Sequence, residues 1–337
     1  MPKLILTCDL CPGDIVMMTA AVRDLHQNFP GWFLTDVRTT CPELWENNPY
    51  LVPIANDDPD AAVIACEYPL VNESNTAPFH FIHGYIQFLS EQLGLEIRPT
   101  VFKGDIHLSA EEKSWLSQVG EVFDEEIPFW IIVSGGKRDY TTKLWAPERF
   151  QQVVDHFRGS LLFVQVGAAG DTHPPLRGVL DLRGQTDLRQ LVRLIYHSHG
   201  VVCPVTSVMH LAAAVECPPG RPTLRPCVVI AGGREPPHWE AYSHHHFLHT
   251  IGALSCCADG PCWRSRVQPE GDGSENDHPD SLCREVRPGP IAGCMDLIQA
   301  SDVIRRIEWC LGNGQAGALD SVKAARVAAG LVARGTW

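Results

Sequence analysis

The chain has 337 residues, 45% hydrophobic, 20% charged and 8% aromatic, a globular composition long enough for about two domains. Twenty-seven basic against 40 acidic side chains leave a formal charge of −13. That balance excludes a general nucleic-acid or anionic-membrane surface and sends any anionic substrate to a local cluster of cations.

Lys3 to Thr7 is a short strand signal, followed by Cys8–Asp14 and a helical pattern from Ile15 to Phe29 with Ile15, Met18, Val22 and Leu25 on one face. Pro30-Gly31 ends that helix, and Trp32 to Val37 is extended again. Strand, turn, helix and strand in so short a stretch make a βαβ unit and imply a parallel sheet. Ala61 to Cys66 is a further strand; Phe79 to Leu93 and Ala110 to Phe123 read as helices, the second opened by a Ser109/Glu112 capping box. A second α/β series begins near residue 127: strand Phe129–Ser134, helix Pro147–Phe157, strand Leu161–Val166, helix Asp187–Ser198, a strand from Val201, helix Val208–Val215 and strand Cys227–Ala231. Residues 255–294 lose all periodicity. Ser301–Leu311 is helical, and the Ala-rich stretch after Gly312 reads as a weak helix or frayed tail.

The expected architecture is therefore α/β, two domains with parallel sheets facing across a cleft: 1–126, 127–312 with the Cys-rich segment 255–294 inside it, and a tail 313–337. Ligands in such sheets bind at the carboxyl ends of strands, on loops that lead into helix N-termini. Four loops qualify: Pro12–Asp14, Gly135–Lys143, Pro204–His210 and Gly232–Glu235. None holds a complete dinucleotide fingerprint or Walker loop. No apolar run approaches the ~20 residues of a membrane helix, and Met1–Leu10, broken by Asp9, does not read as a secretion signal. A cytoplasmic protein is expected.

Thirteen cysteines in such a chain do not read as a disulfide framework. Five fall between Cys256 and Cys294, in a segment too polar to order itself by burial. Four thiolates around a tetrahedral ion are a common structural solution for Zn²⁺ or iron. Cys257 and Cys262, joined across Gly260-Pro261, with Cys283 and Cys294, are the expected ligands, and Cys256 is a substitute. Disulfides or incidental thiols are the other reading of the same spacing. His244–His246 and His249 read as a polar loop leading into a strand, and Trp239 as a core residue.

Four stretches, in order, resemble the ADP-heptose-type glycosyltransferases, the heptosyltransferase family of two-domain GT-B folds with Rossmann-like halves. They are Pro12-Gly13-Asp14-Ile15-Val16 through Arg23, Glu43–Pro49, Lys143-Leu144-Trp145-Ala146-Pro147-Glu148, and Asp181–Leu188 leading to Met209–Ala214. The resemblance implies an inverting glycosyltransferase that moves a sugar, heptose foremost, from an ADP-sugar to a hydroxyl on a glycan or protein. Asp14 matches the family's catalytic base, a role that needs a carboxylate to take the acceptor proton; an aspartate there also serves as a helix cap. Lys143 matches the lysine held to the donor phosphates, where departure of a diphosphate builds negative charge. Gly13, Lys137, Gly233 and Arg234, with Arg138, are expected to reinforce that site.

Thr206, Ser207, Val208, Met209 and His210 match the diphosphate-holding helix start, with His210 equally readable as a core histidine. Here the chain departs from the family: Val205-Thr206-Ser207 replaces an Asp-Ser/Thr-Gly pattern, so the usual aspartate is missing, although backbone amides survive the change. Asp171 or His173 falls near the family's ribose-contacting acid. A subset that glycosylates autotransporter proteins carries a cysteine-bound iron, and the Cys256–Cys294 cluster resembles it. The metal, Fe or Zn, is expected to be structural, and no catalytic metal is expected. A homo-oligomer, an epimerase or hydrolase on the same fold, and an inactive binding or assembly module remain open at this stage.

Overall fold

Most strands of this chain are short runs of Val, Ile, Leu and Phe, which become stable when helices cover both faces of a parallel sheet. The computed structural model describes residues 1–67, 80–313 and 318–335. Strand β1 (Lys3–Cys8) feeds helix α1 (Pro12–Asn28), and β2 (Leu34–Thr39) and β3 (Ala61–Ala65) flank it in a parallel sheet ordered β2-β1-β3. Helices α2 (Ile82–Leu93), α3 (Ala110–Ser114) and α4 (Gln118–Phe123) lead to the second sheet. There β4 (Phe129–Ile132), α5 (Pro147–His156), β5 (Leu162–Gln165), β6 (Leu180–Asp181), α6 (Leu188–His197), β7 (Gly200–Pro204), α7 (Ser207–Ala214), β8 (Cys227–Gly232), α8 (Pro237–Glu240) and β9 (His245–His249) follow. The six strands are all parallel, ordered β6-β5-β4-β7-β8-β9. The chain ends in a small hairpin of β10 (Val286–Arg287) and β11 (Ile291–Ala292), then α9 (Gly293–Asp296), α10 (Ala300–Gly312) and α11 (Ser321–Ala333).

The buried apolar residues form two clusters that divide by sheet face rather than by chain half. One runs from Leu4, Leu6 and the buried length of α1 through Tyr85 to Val201, Val205, Met209 and Ala212. The other, around Trp130, Phe150, Phe163 and Ile307, lies on the outer face of the second sheet. The first cluster seats α1 directly on α7. Ion pairs close the rim: Arg189 meets Glu112 at 2.5 Å and Lys113 meets Glu216 at 2.6 Å.

Two local expectations are corrected. The single helix expected over Ala110–Phe123 is two, because Trp115 is extended and Ser117 opens a second N-cap by accepting from Gly120 N at 2.8 Å. The first cap stands as expected, with Ser109 and Glu112 bonding each other's backbone. Phe79, the expected start of the preceding helix, lies outside the described residues. Of the two readings of the Ala-rich tail the helix holds: α11 is capped by Asp320 and buries Val327 and Leu331, with Gly330 lying close against Phe123. The polar segment 271–279 takes its order from Arg266. That guanidinium is fully buried and bonds Asp277 at 2.5 Å, Asp272 at 2.7 Å and Asp139 at 3.3 Å, so charge pairing supplies what apolar burial does not.

Candidate active site

Helices α1 and α7 both begin at the same corner. A Cβ placed on Gly13 would lie 3.3 Å from His210 Cδ2 and 3.7 Å from Ser207 Cα, so the glycine lets one helix start lie against the other. Each N-terminus presents backbone N–H groups and the positive end of its dipole. Asp14 stands in the first turn of α1 and accepts from Cys11 N at 3.1 Å, which is the capping geometry. Thr206 precedes α7, and among the described residues its buried hydroxyl has no hydrogen-bond partner.

Cations stand close to this corner, where Lys143 acts on both Glu240 and His210. Lys143 ends the turn after β4, and its Nζ lies 2.7 Å from Glu235 Oε1. Arg234 follows β8, bonds the same Glu235 oxygen, and donates from Nε to Arg264 O at 2.7 Å. Both cations lie over the Tyr140 ring, Lys143 at 5.3 Å and Arg234 at 4.8 Å, and Arg234 also faces Trp263 at 5.6 Å. Lys137 reaches across to Cys11 Sγ at 3.1 Å. That contact, reinforced by Asp171 and Asp139, raises the lysine's pKa against the opposing effect of burial. Arg138 stays at the edge, 3.9 Å from Glu270.

Glu240, at the end of α8, is buried in this corner. Burial first, then the neighbouring Glu235 charge, pushes its pKa up to about 8; Lys143 and Arg234 act against the shift and Asp14 adds to it. A carboxyl that keeps its proton near neutral pH leaves the negative charge to its neighbours, the separation of roles expected where two acids share a site. His210 is buried, hydrogen-bonds the Tyr242 hydroxyl at 2.9 Å, and is held neutral by burial, with His80 and Lys143 adding to the effect, at a pKa of about 3. Val208 and Met209 are core residues of α7. Trp239 packs as a core residue, stacked on Phe81 at 5.6 Å. His244–His246 are not a loop before a strand, since β9 itself contains His245 and His246, with burial lowering all three histidine pKa values.

Gly232 and Gly233 carry the chain from β8 into this site past the cysteines. Gly232 has φ +64°, and a Cβ there would lie 2.5 Å from Met295 Sδ and 3.2 Å from Cys294 Sγ; one on Gly233 would lie 3.2 Å from Cys257 Sγ. Only glycine makes that passage without strain. Cys256, Cys257, Cys262, Cys283 and Cys294 all line one small cavity of about 10 Å³. Burial raises the Cys256 and Cys294 pKa values to about 11, and neighbouring thiols of the set add to it. Among the described residues no group of three or more His, Cys, Asp or Glu side chains stands ready-made to hold a metal ion. The five thiols therefore share a cavity without converging as a finished ligand set.

The Cys-rich segment also braces the cations. Cys262 N donates to Gly233 O and Trp263 N to Arg234 O, each at 3.3 Å, while Thr142, next to Lys143, donates from Oγ1 to Arg264 O at 2.7 Å. Sequence reasoning missed Glu235, Glu240, Tyr140 and Trp263. The available signal was two glutamates and three prolines or aromatics packed around Arg234 just after a Gly-Gly strand end.

A second cavity, of about 660 Å³, opens at the carboxyl ends of β1 and β2 and is lined by Thr7, Asp9, Arg38, Thr39, Thr40 and Trp45 among others. Its charges are mostly internally paired: Arg38 meets Asp36 at 2.9 Å and donates to Ile54 O and Asn56.

Two parallel α/β sheets and a cation-rich corner between helix starts set the frame, and comparison with known proteins supplies the class. The family model of glycosyltransferase family 9 (heptosyltransferase) matches residues 70–245. The fold is similar to that of a family 9 glycosyl transferase from Veillonella parvula, with TM-score 0.60, 15% identity, and coverage of 93% of this chain and 98% of the other. It is equally similar to the E. coli ADP-heptose lps heptosyltransferase II, at TM-score 0.60 and 15% identity over 93% and 100% of the two chains. The iron-containing dodecameric glycosyltransferase TibC of enterotoxigenic E. coli matches with TM-score 0.58 and 14% identity over 93% and 76%. No curated protein sequence matches. The chain belongs to glycosyltransferase family 9, the heptosyltransferase family, and is a glycosyltransferase of GT-B-like fold. No helix among the described residues is long and apolar enough to cross a membrane.

Proposed function

We propose that the enzyme transfers heptose from ADP-heptose to a hydroxyl acceptor with inversion at the anomeric carbon. The observation that carries this reading is the meeting of an Asp14-bearing helix start with the Lys143–Arg234 cation pair around one buried corner. The Asp14 carboxylate takes the acceptor proton as the hydroxyl oxygen bonds to the anomeric carbon, and the sugar–phosphate bond breaks with its electrons passing to ADP. Lys143, Arg234 and the amides of Ser207 and Val208 at the start of α7 stabilise the charge that builds on the leaving diphosphate, while the Met209 amide is already used on Thr206 O. Gly13 and Gly233 allow close backbone approach, Lys137 on the loop beside Cys11 adds a further cation, and Thr206 offers its hydroxyl. His210 acts by packing between α1 and α7 as a neutral imidazole. ADP-heptose is bound by a solved structure of TibC, and the missing aspartate at Val205 makes the donor's sugar the least constrained part of the reading.

Residues 127–312 would hold the donor and residues 1–126 the acceptor, a glycan or a protein, in the open bay beside β1 and β2. The acceptor stays at the level of a hydroxyl compound.

A structural iron or zinc ion suits the donors of the cysteine cavity. The five soft thiols line one small cavity, but among the described residues they must draw together to form a ligand set. Cys257, Cys262, Cys283 and Cys294 would hold the ion, with Cys256 as substitute. Such an ion would favour the thiolate forms that burial opposes and would link the Cys256–Cys262 turn to Cys283 and Cys294. Four protein ligands leave no open position for substrate.

The test is a binding and turnover screen with ADP-, UDP-, GDP- and dTDP-sugars, followed by NMR of the product's anomeric configuration. ADP-heptose is expected to bind and to give an inverted linkage. Preference for a different nucleotide, or a retained configuration, overturns the proposal.

A further inference from the structure

Glu235 has no part in the reaction described above, yet it occupies the centre of the cation pair. Its Oε1 lies 2.7 Å from Lys143 Nζ and is also bonded by Arg234, and its Oε2 is buried with no hydrogen-bond partner among the described residues. A buried carboxylate that uses one oxygen on two cations and leaves the other bare is poorly solvated by its surroundings. The three side chains differ in freedom. Arg234 is fixed by Arg264 O and by the Tyr140 and Trp263 rings. Lys143 has a flexible stem and is the most exposed of the three, at 21% against 9% for Arg234 and 5% for Glu235. An incoming polyanion therefore meets Lys143 first.

We propose that Glu235 is a built-in stand-in for the donor diphosphate: it neutralises Lys143 and Arg234 in the empty site and yields Lys143 to the diphosphate when donor binds. This rests on the donor reading above. The carboxylate stays on Arg234, its chain neighbour, while Lys143 turns to the phosphates. When the sugar has been transferred, Glu235 competes for Lys143 again and helps expel the nucleoside diphosphate. Glu235 is thus a positioning residue that acts through Lys143. It makes donor binding weaker than the cations alone would allow, in exchange for faster product release.

The experiment uses the full-length protein with ADP as probe. Glu235→Gln keeps the shape and removes the charge. It is expected to bind ADP about tenfold more tightly than wild type, a size in keeping with release of a partly buried charge pair. Donor KM is expected to fall together with kcat, as product release slows. In a Lys143→Met background the same substitution is expected to leave ADP affinity unchanged, which a general structural effect would not do. If Glu235→Gln fails to fold, Glu235→Asp keeps the pairing with Arg234 but falls one methylene short of Lys143, and it too is expected to tighten ADP binding. Unchanged or weaker ADP binding in the variant that folds, or tightening that persists without Lys143, overturns the proposal. Failure of the wild type itself to bind ADP instead removes the donor reading beneath it.

Discussion

The two strand–loop–helix turns that meet at the site are finished in opposite ways. After β1 the loop Asp9–Cys11 is exposed, and the bay beside it is wide and mostly charge-neutral within itself. After β8 the loop Gly232–Glu235 is buried, fixed by glycine packing on cysteines, by hydrogen bonds from residues 262 and 263, and by aromatic rings around its arginine. One side is built once for a fixed charge pattern; the other leaves room for a partner whose shape varies. In the transfer proposed above, that contrast puts donor recognition on the braced side and acceptor choice on the open one.

Breaking each side separately gives the largest expected effects. Asp14→Asn should lower transfer kcat by about 10²–10⁴-fold while ADP affinity stays close to wild type, because a general base acts on the acceptor proton and not on the nucleotide. Lys143→Met should lower kcat/KM by about 10²–10³-fold and weaken ADP binding as well, since the cation serves both the bound donor and the departing diphosphate. Steady-state kinetics with ADP titration separates the two. Loss of ADP binding in the Asp14 variant, or its retention in the Lys143 variant, would erase the division of labour.

The cysteine cavity sharpens the same contrast. Purified enzyme should contain about one iron or zinc per chain, and Cys257→Ser with Cys294→Ser should remove it. Because Cys262 to Ser265 hold both Gly233–Arg234 and Thr142, metal loss should lower Tm and weaken ADP binding together. A metal content near zero in protein of normal Tm would end the metal assignment.

Most of the scaffold was legible in the sequence, since β1, α1, β4, α5, β7, α7 and β8 follow from apolar runs, glycine stops and helical spacing. The loops that carry Lys143 and Arg234, and the helix start that carries Asp14, were legible as strand–helix junctions, whereas the roles of Asp14 and Lys143 came only from the family resemblance. The break at Trp115 was not, because a second serine cap competes with an otherwise helical pattern only once Glu126 is there to hold Ser117 at 2.7 and 2.8 Å. Arg266 gave no local signal either: its three carboxylate partners come from residues 139, 272 and 277, and only the folded chain brings them together. Glu235 and Glu240 were hidden for a similar reason, since nothing in a linear pattern tells a solvated glutamate from one folded under a cation pair.

The smallest predicted effect concerns Glu240 and reads out the braced side through pH. Its carboxyl, raised to about 8 by burial and by Glu235, keeps its proton in the native state over a range where the unfolded chain, near the ordinary value of 4.5, has lost it. The native state then binds more protons than the unfolded state, so this residue's contribution to stability falls as pH rises from about 4.5 to about 8 and is level outside that window. Glu240→Gln removes the dependence. Thermal unfolding of variant and wild type should therefore differ little near pH 4.5, and the variant should gain steadily, by a few kcal/mol at most, up to about pH 8. A difference that stays flat with pH would mean that Glu240 ionises freely in the folded protein. The closed corner would then be as open to water as the bay across from it.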